Sequence, residues 1–101
     1  MDATLPATVA EVIVDLPESR SHSADGVITW TRGETAFAAL SPEGIEIRLD
    51  PGIAAAAART PDTERSSRGP EWVRFSPSEL DGHAVDRLRA WLELGYRRAG
   101  E

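Results

Sequence analysis

Leu5, Val9, Val12, Ile13 and Leu16 recur at spacings of three and four, which predicts an amphipathic helix over 4–16 that Pro17 ends. The next stretch, ESRSHSADG at 18–26, has no apolar periodicity and reads as a polar connection. Three runs with strand chemistry follow: VITWTR at 27–32, TAFAALS at 35–41 and IEIRLD at 45–50. Gly33 and Glu34 link the first two tightly, and SPEG at 41–44 carries proline and glycine where a type I turn prefers them. The three runs therefore predict a three-stranded antiparallel meander. In the third run Ile45, Ile47 and Leu49 alternate with Glu46, Arg48 and Asp50, so one face is buried and the other is solvated.

Asp50 before Pro51 is an N-cap followed by proline at the first helical position, and GIAAAAART continues as a short alanine-rich helix. Residues 60–71, TPDTERSSRGPE, hold no large apolar side chain and read as a solvated loop with room for one short edge strand. WVRF at 72–75 is the next strand. SPSE at 76–79 has the spacing of a capping box, but Gly82 places the main helix from about Asp81. There Val85, Leu88, Leu92, Tyr96 and Ala99 fall in one arc, with Ala84 and Trp91 on its shoulder and Leu94 opposite. Arg89 with Glu93, and Glu93 with Arg97, are four apart, each pair adding about 0.3 kcal/mol if formed. The pattern is that of a two-layer α+β domain: a twisted antiparallel sheet with helices on one face.

The 101 residues fit one domain with a modest core. Cysteine is absent, which excludes a disulfide framework, a thiolate nucleophile and a Cys-based zinc site. The opening MDATLPATVAEVIVDLP lacks a basic segment ahead of an apolar one, and GIAAAAA at 52–58 is too short to span a bilayer, so a cytoplasmic protein without membrane contact is expected. Net charge is −6, which opposes nucleic-acid phosphates. All 11 basic residues are arginine, a bias expected of a GC-rich genome and not by itself of function.

The order of elements resembles the MmcQ/YjbR-like family of small bacterial proteins over nearly the whole chain. The stretches that carry the resemblance are DLPESRSH, GETAFAALSPEGIEIRLDP, PEWVRF and VDRLRAWLELGYRRA. It implies a compact α+β fold similar in layout to secretion-chaperone-like proteins, and a family often labelled DNA-binding. The chain departs from the family pattern at TERSSRG, which is shorter and lacks the aromatic and lysine residues many relatives carry before the tryptophan.

No catalytic signature accompanies this pattern. His22 and His83 are far apart, and neither has a metal-ligating neighbour at a useful spacing. SHSAD at 21–25 brings serine, histidine and aspartate together in sequence, but a triad needs three groups converging in space. Glycine-rich phosphate loops are absent, and the carboxylates scatter over turns, caps and helix surfaces. No cofactor and no enzymatic activity are expected. On the WVRF strand Val73 and Phe75 share one face and Trp72 and Arg74 the other, and the purely apolar pair belongs under the helices. Trp72 is then half-exposed on the open face, with Arg48, Arg65, Arg68 and Arg74 around it as the candidate binding surface. The function expected is an accessory or interaction domain that contacts a protein partner or a second copy of itself. The alternative is weak nucleic-acid binding through the same arginines.

Overall fold

The structure is a computed structural model that describes residues 4–101. Helix α1 spans Leu5–Ile13, with Thr4 as N-cap accepting from the Ala7 amide at 3.3 Å. Thr8, Val9, Val12 and Ile13 are its buried residues, while Leu5 and Leu16 pack at the margin of the core. The helix closes before Pro17, because the amides of Asp15 and Leu16 bond to Val12 and Ile13 in tighter turns.

Strand β1, Ser19–Ala24, occupies the stretch expected to be a polar loop. Its residues are exposed along nearly the whole strand, so no apolar alternation is required of them. What makes this segment a strand is the turn that follows. Asp25 at φ 53° and Gly26 at φ 78° reverse the chain in two residues, and Ala24 pairs with Val27 across them. Strands β2 (Val27–Arg32), β3 (Thr35–Ser41) and β4 (Gly44–Arg48) continue the meander with the expected turns at Gly33–Glu34 and Pro42–Glu43. Gly44, at φ 135°, is obligatory: a Cβ there would sit on the Ser76 hydroxyl and 2.7 Å from the Phe75 carbonyl oxygen.

Helix α2, Pro51–Ala57, is capped by Asp50, whose carboxylate accepts from the Gly52 amide at 2.9 Å. The 60–71 segment contains the short edge strand β5, Thr63–Arg65, and leads into β6, Trp72–Phe75. The strands form one antiparallel sheet in the order β1-β2-β3-β4-β6-β5. No helical turn forms at Ser76–Glu79. Helix α3, Gly82–Ala99, is capped by Asp81, whose carboxylate accepts from the Ala84 amide at 2.8 Å.

Side-chain registry sorts the two faces of the sheet. Ile28, Leu40, Ile45 and Phe75 lie in one row, and Trp30, Ala38, Ile47 and Val73 in the next, all directed at the helices. A bulge at Trp30–Thr31 leaves Phe37 unpaired, and it is buried with its ring 5.9 Å from that of Tyr96. The α3 wall is rotated from the expected arc: Ala84, Leu88, Trp91, Leu92 and Gly95 are buried, whereas Val85, Tyr96 and Ala99 are only partly so. Gly95 explains the rotation. Its Cα lies so near β4 that a Cβ would come within 2.9 Å of the Arg48 carbonyl oxygen. The i, i+4 pairs expected on α3 are not among its ion pairs; Arg98 instead reaches Glu71 at 2.7 Å.

Candidate functional site

On the face away from the helices, a row of paired residues crosses every strand: His22, Thr29, Ala39, Glu46, Arg74 and Glu64. Beside it, Arg48 is paired with Trp72. Trp72 is half-buried and Phe75 fully buried, so the alternation in EWVRF assigns the two faces as expected.

The 66–71 loop folds back over this face. The Ser66 amide donates to the Trp72 carbonyl at 3.0 Å, the Trp72 amide to the Gly69 carbonyl at 3.1 Å, and the Arg68 amide to the Ser66 hydroxyl at 3.1 Å. The loop thereby covers Glu46, which is 8% exposed although it lies on the nominally open side. The Ser66 hydroxyl donates to Glu46 Oε2 and Arg68 Nε donates to Glu46 Oε1 at 3.2 Å. Arg68 also lies over the indole of Trp72, its guanidinium carbon 5.3 Å from the ring centroid.

Each of the nearby arginines has a carboxylate. Arg48 Nε donates to Glu71 at 2.8 Å, and Arg98 Nη2 donates to the other oxygen of Glu71 at 2.7 Å, tying β4 to the last turn of α3. These two guanidinium hydrogen bonds, Arg48 first and then Arg98, hold the Glu71 carboxyl below its ordinary range against a smaller opposing effect of desolvation. Arg74 lies 3.4 Å from Glu64, 3.7 Å from Glu43 and 3.9 Å from Glu46. Four guanidinium groups thus meet five carboxylates, Asp50 reaching Arg98 at 4.0 Å. At the turn end of the same face a shallow groove of about 380 Å³ is lined by Asp25, Val27, Pro42, Glu43 and Glu46 and is acidic.

Of the expected surface, Arg48, Arg68, Trp72 and Arg74 come together and Arg65 does not. Arg65 pairs with Val73, which directs it to the helix side of the sheet edge. Glu71 serves Arg48 and Arg98, while Arg68 serves Glu46. Arg87 donates to the Pro61 carbonyl at 2.9 Å and lies over Phe75. Sequence reasoning placed Glu46 or Arg48 near Trp72 without counting Glu46 in the binding set, and it missed Ser66 altogether. The available signal was Glu46 itself, a carboxylate on the same outward side of its strand as Arg48, in a chain whose next strand, WVRF, also turns an arginine outward.

The histidines take no part. His22 and His83 are exposed, and among the described residues no group of three His, Asp or Glu side chains is placed to hold a metal ion. The pleat of β1 turns Ser21 and His22 to opposite faces, which separates the SHSAD residues. Among the described residues no helix is long and apolar enough to cross a membrane. Comparison with known protein families, curated proteins and solved structures finds no match to this chain.

Proposed function

We propose that the chain is a non-enzymatic interaction domain whose open sheet face, centred on Trp72, contacts a protein partner or a second copy of the chain. The observation that carries this is the state of the arginines around the indole. Each is already held by a carboxylate, so the face is preorganised, and association need not immobilise those side chains anew. A half-buried tryptophan rimmed by fixed arginines is the composition of interface anchors. Neutralisation also leaves little free positive charge to attract phosphates, and the acidic groove beside Glu46 opposes them. Nucleic-acid binding, which the family resemblance suggests, therefore has less support than protein contact. Glu46, the buried carboxylate of the cluster, is engaged by Ser66 and Arg68, which supports a structural role over acid or base chemistry.

The test is a comparison of wild type with Trp72→Glu, by sedimentation for self-association and by affinity purification from the native host for a partner. Wild type should dimerise or retain a partner in stoichiometric amount, and the variant should remain folded and lose it. A wild-type chain that stays monomeric and retains nothing, or a variant that retains the same partner, would overturn the proposal. Duplex DNA should bind more weakly than about 10 μM near physiological salt, and a salt-sensitive submicromolar complex would favour the nucleic-acid reading.

A further inference from the structure

The two edges of the sheet are guarded very differently. β5 is three residues long, carries Glu64 and Arg65 and follows Pro61. β1 is six residues long, without proline or bulge, and is exposed on both faces. The two-residue Asp25–Gly26 turn closes on the Ala24–Val27 pair, so hydrogen-bonded pairs recur at His22–Thr29 and Arg20–Thr31. By that alternation the amides and carbonyls of Ser19, Ser21 and Ser23 point outward, away from β2. They form a template for another strand.

The side chains beside that template have a definite chemistry. On the helix side, where the helical layer stops short of β1, an open groove of about 460 Å³ is lined by Ala10, Val14, Leu16, Ser19, Ser21 and Trp30. Val14 at its rim is 78% exposed, the most exposed of the large apolar residues described. The Ser19 hydroxyl is buried there without a hydrogen-bond partner. On the open side, β1 presents Arg20 and His22, and Arg20 makes no ion pair among the described residues.

We propose that β1 and this groove bind an extended segment of a partner protein as an added strand, one in which apolar residues alternate with acidic ones. The outward amides and carbonyls of Ser19, Ser21 and Ser23 hold its backbone. Its apolar side chains, on the helix side, fill the groove at Val14, Leu16 and Trp30. Its carboxylates, on the other side, meet Arg20. Glu18 borders the groove and Asp25 lies in the turn, so the acidic positions belong near the middle of β1, over Arg20 and His22. The net charge of −6 acts over a distance that salt screens to about 8 Å at physiological ionic strength, leaving Arg20 as the local determinant. A second copy of β1 is a poor occupant. Same-face antiparallel registers place its serines in the apolar groove and set Arg20 against Arg20, His22 or Ala24. The proposal concerns an edge remote from Trp72 and stands independently of the open-face reading.

The probe is a fluorescein-labelled octapeptide of alternating valine and glutamate, titrated by anisotropy against the full chain. Comparators are the valine–lysine counterpart and a valine–glutamate peptide N-methylated on the backbone at alternate residues, in both phases. The valine–glutamate peptide should bind at least about tenfold tighter than the lysine one. One methylation phase should abolish binding and the other preserve it. Ser21→Pro removes an outward amide without breaking the β1–β2 ladder, so the melting temperature should hold while affinity falls at least about tenfold. Val14→Glu should weaken binding as well. Absence of binding by the valine–glutamate peptide, equal affinity for the lysine peptide, indifference to methylation phase, or unchanged binding by folded Ser21→Pro would each overturn the proposal. A concentration-dependent dimer that Ser21→Pro abolishes would make a second copy the occupant instead, which also overturns it.

Discussion

Two neighbouring rows of side chains cross the same sheet and meet opposite surroundings. Ile28, Leu40, Ile45 and Phe75 face α1, α2 and α3 and close the core, whereas Thr29, Ala39, Glu46, Arg74 and Glu64 face outward. The inner row is held by apolar burial, aromatic edges included: Phe75 meets Trp91 at 5.3 Å between ring centroids. The outer row is held by charge pairing, in which a loop buries one carboxylate, and two arginines share it with a serine. The inner face gains stability by excluding water. The outer face gains a fixed shape: its partly solvated pairs, Arg48–Glu71 and Arg74–Glu64, add little net energy, and only the buried Glu46 contacts carry more.

The contrast is tested most severely at Phe75. Phe75→Ala should lower stability by about 3–5 kcal/mol, because a fully buried ring leaves a cavity beneath Trp91. Urea unfolding measures it, and a loss under about 1 kcal/mol would mean that the core repacks around the gap. Glu46→Gln should cost about 1–3 kcal/mol, as the carboxylate bonded by Ser66 and Arg68 loses its charge. Comparison with Ser66→Ala in a double-mutant cycle isolates their coupling. Trp72→Ala on the outer face should cost about 1 kcal/mol, well below the effect at Phe75. Equal costs at the two aromatic positions would erase the distinction between faces.

The strongest parts of this organisation were legible in the chain. The alternation of Ile45, Ile47 and Leu49 with charged residues, and of Val73 and Phe75 with Trp72 and Arg74, is forced by the pleat once one face is covered. Strand β1 was not legible by the same route, since SRSHSA buries neither face and has no pattern to keep. Its signal was Asp25–Gly26, a hairpin turn pair read only as part of a polar stretch. Arg65 was misplaced because the side of a short edge strand depends on its register with Val73, which a polar loop sequence does not encode. The rotation of α3 comes from Gly95, where a missing side chain admits β4, and an apolar arc does not register the absence of a side chain.

The smallest expected effect is electrostatic. Glu71 is held below its ordinary value of 4.5 in the folded chain, so it contributes stability that is fully present above that value and is lost as pH falls through the lowered one. Wild type should therefore lose more stability on acidification below pH 4.5 than Glu71→Gln does. Parallel acid limbs for the two proteins would show that the Arg48–Glu71–Arg98 clamp carries no net stabilisation.

The role of the outer face is tested most directly by photo-crosslinking in the native host. A benzophenone amino acid is placed at Thr29, on the outer face of β2, or at Arg89, on the exposed side of α3. A discrete higher-mass adduct is expected from position 29, removed by adding Trp72→Glu, and none from position 89. Adducts from position 89 alone, or from neither position, would contradict that role.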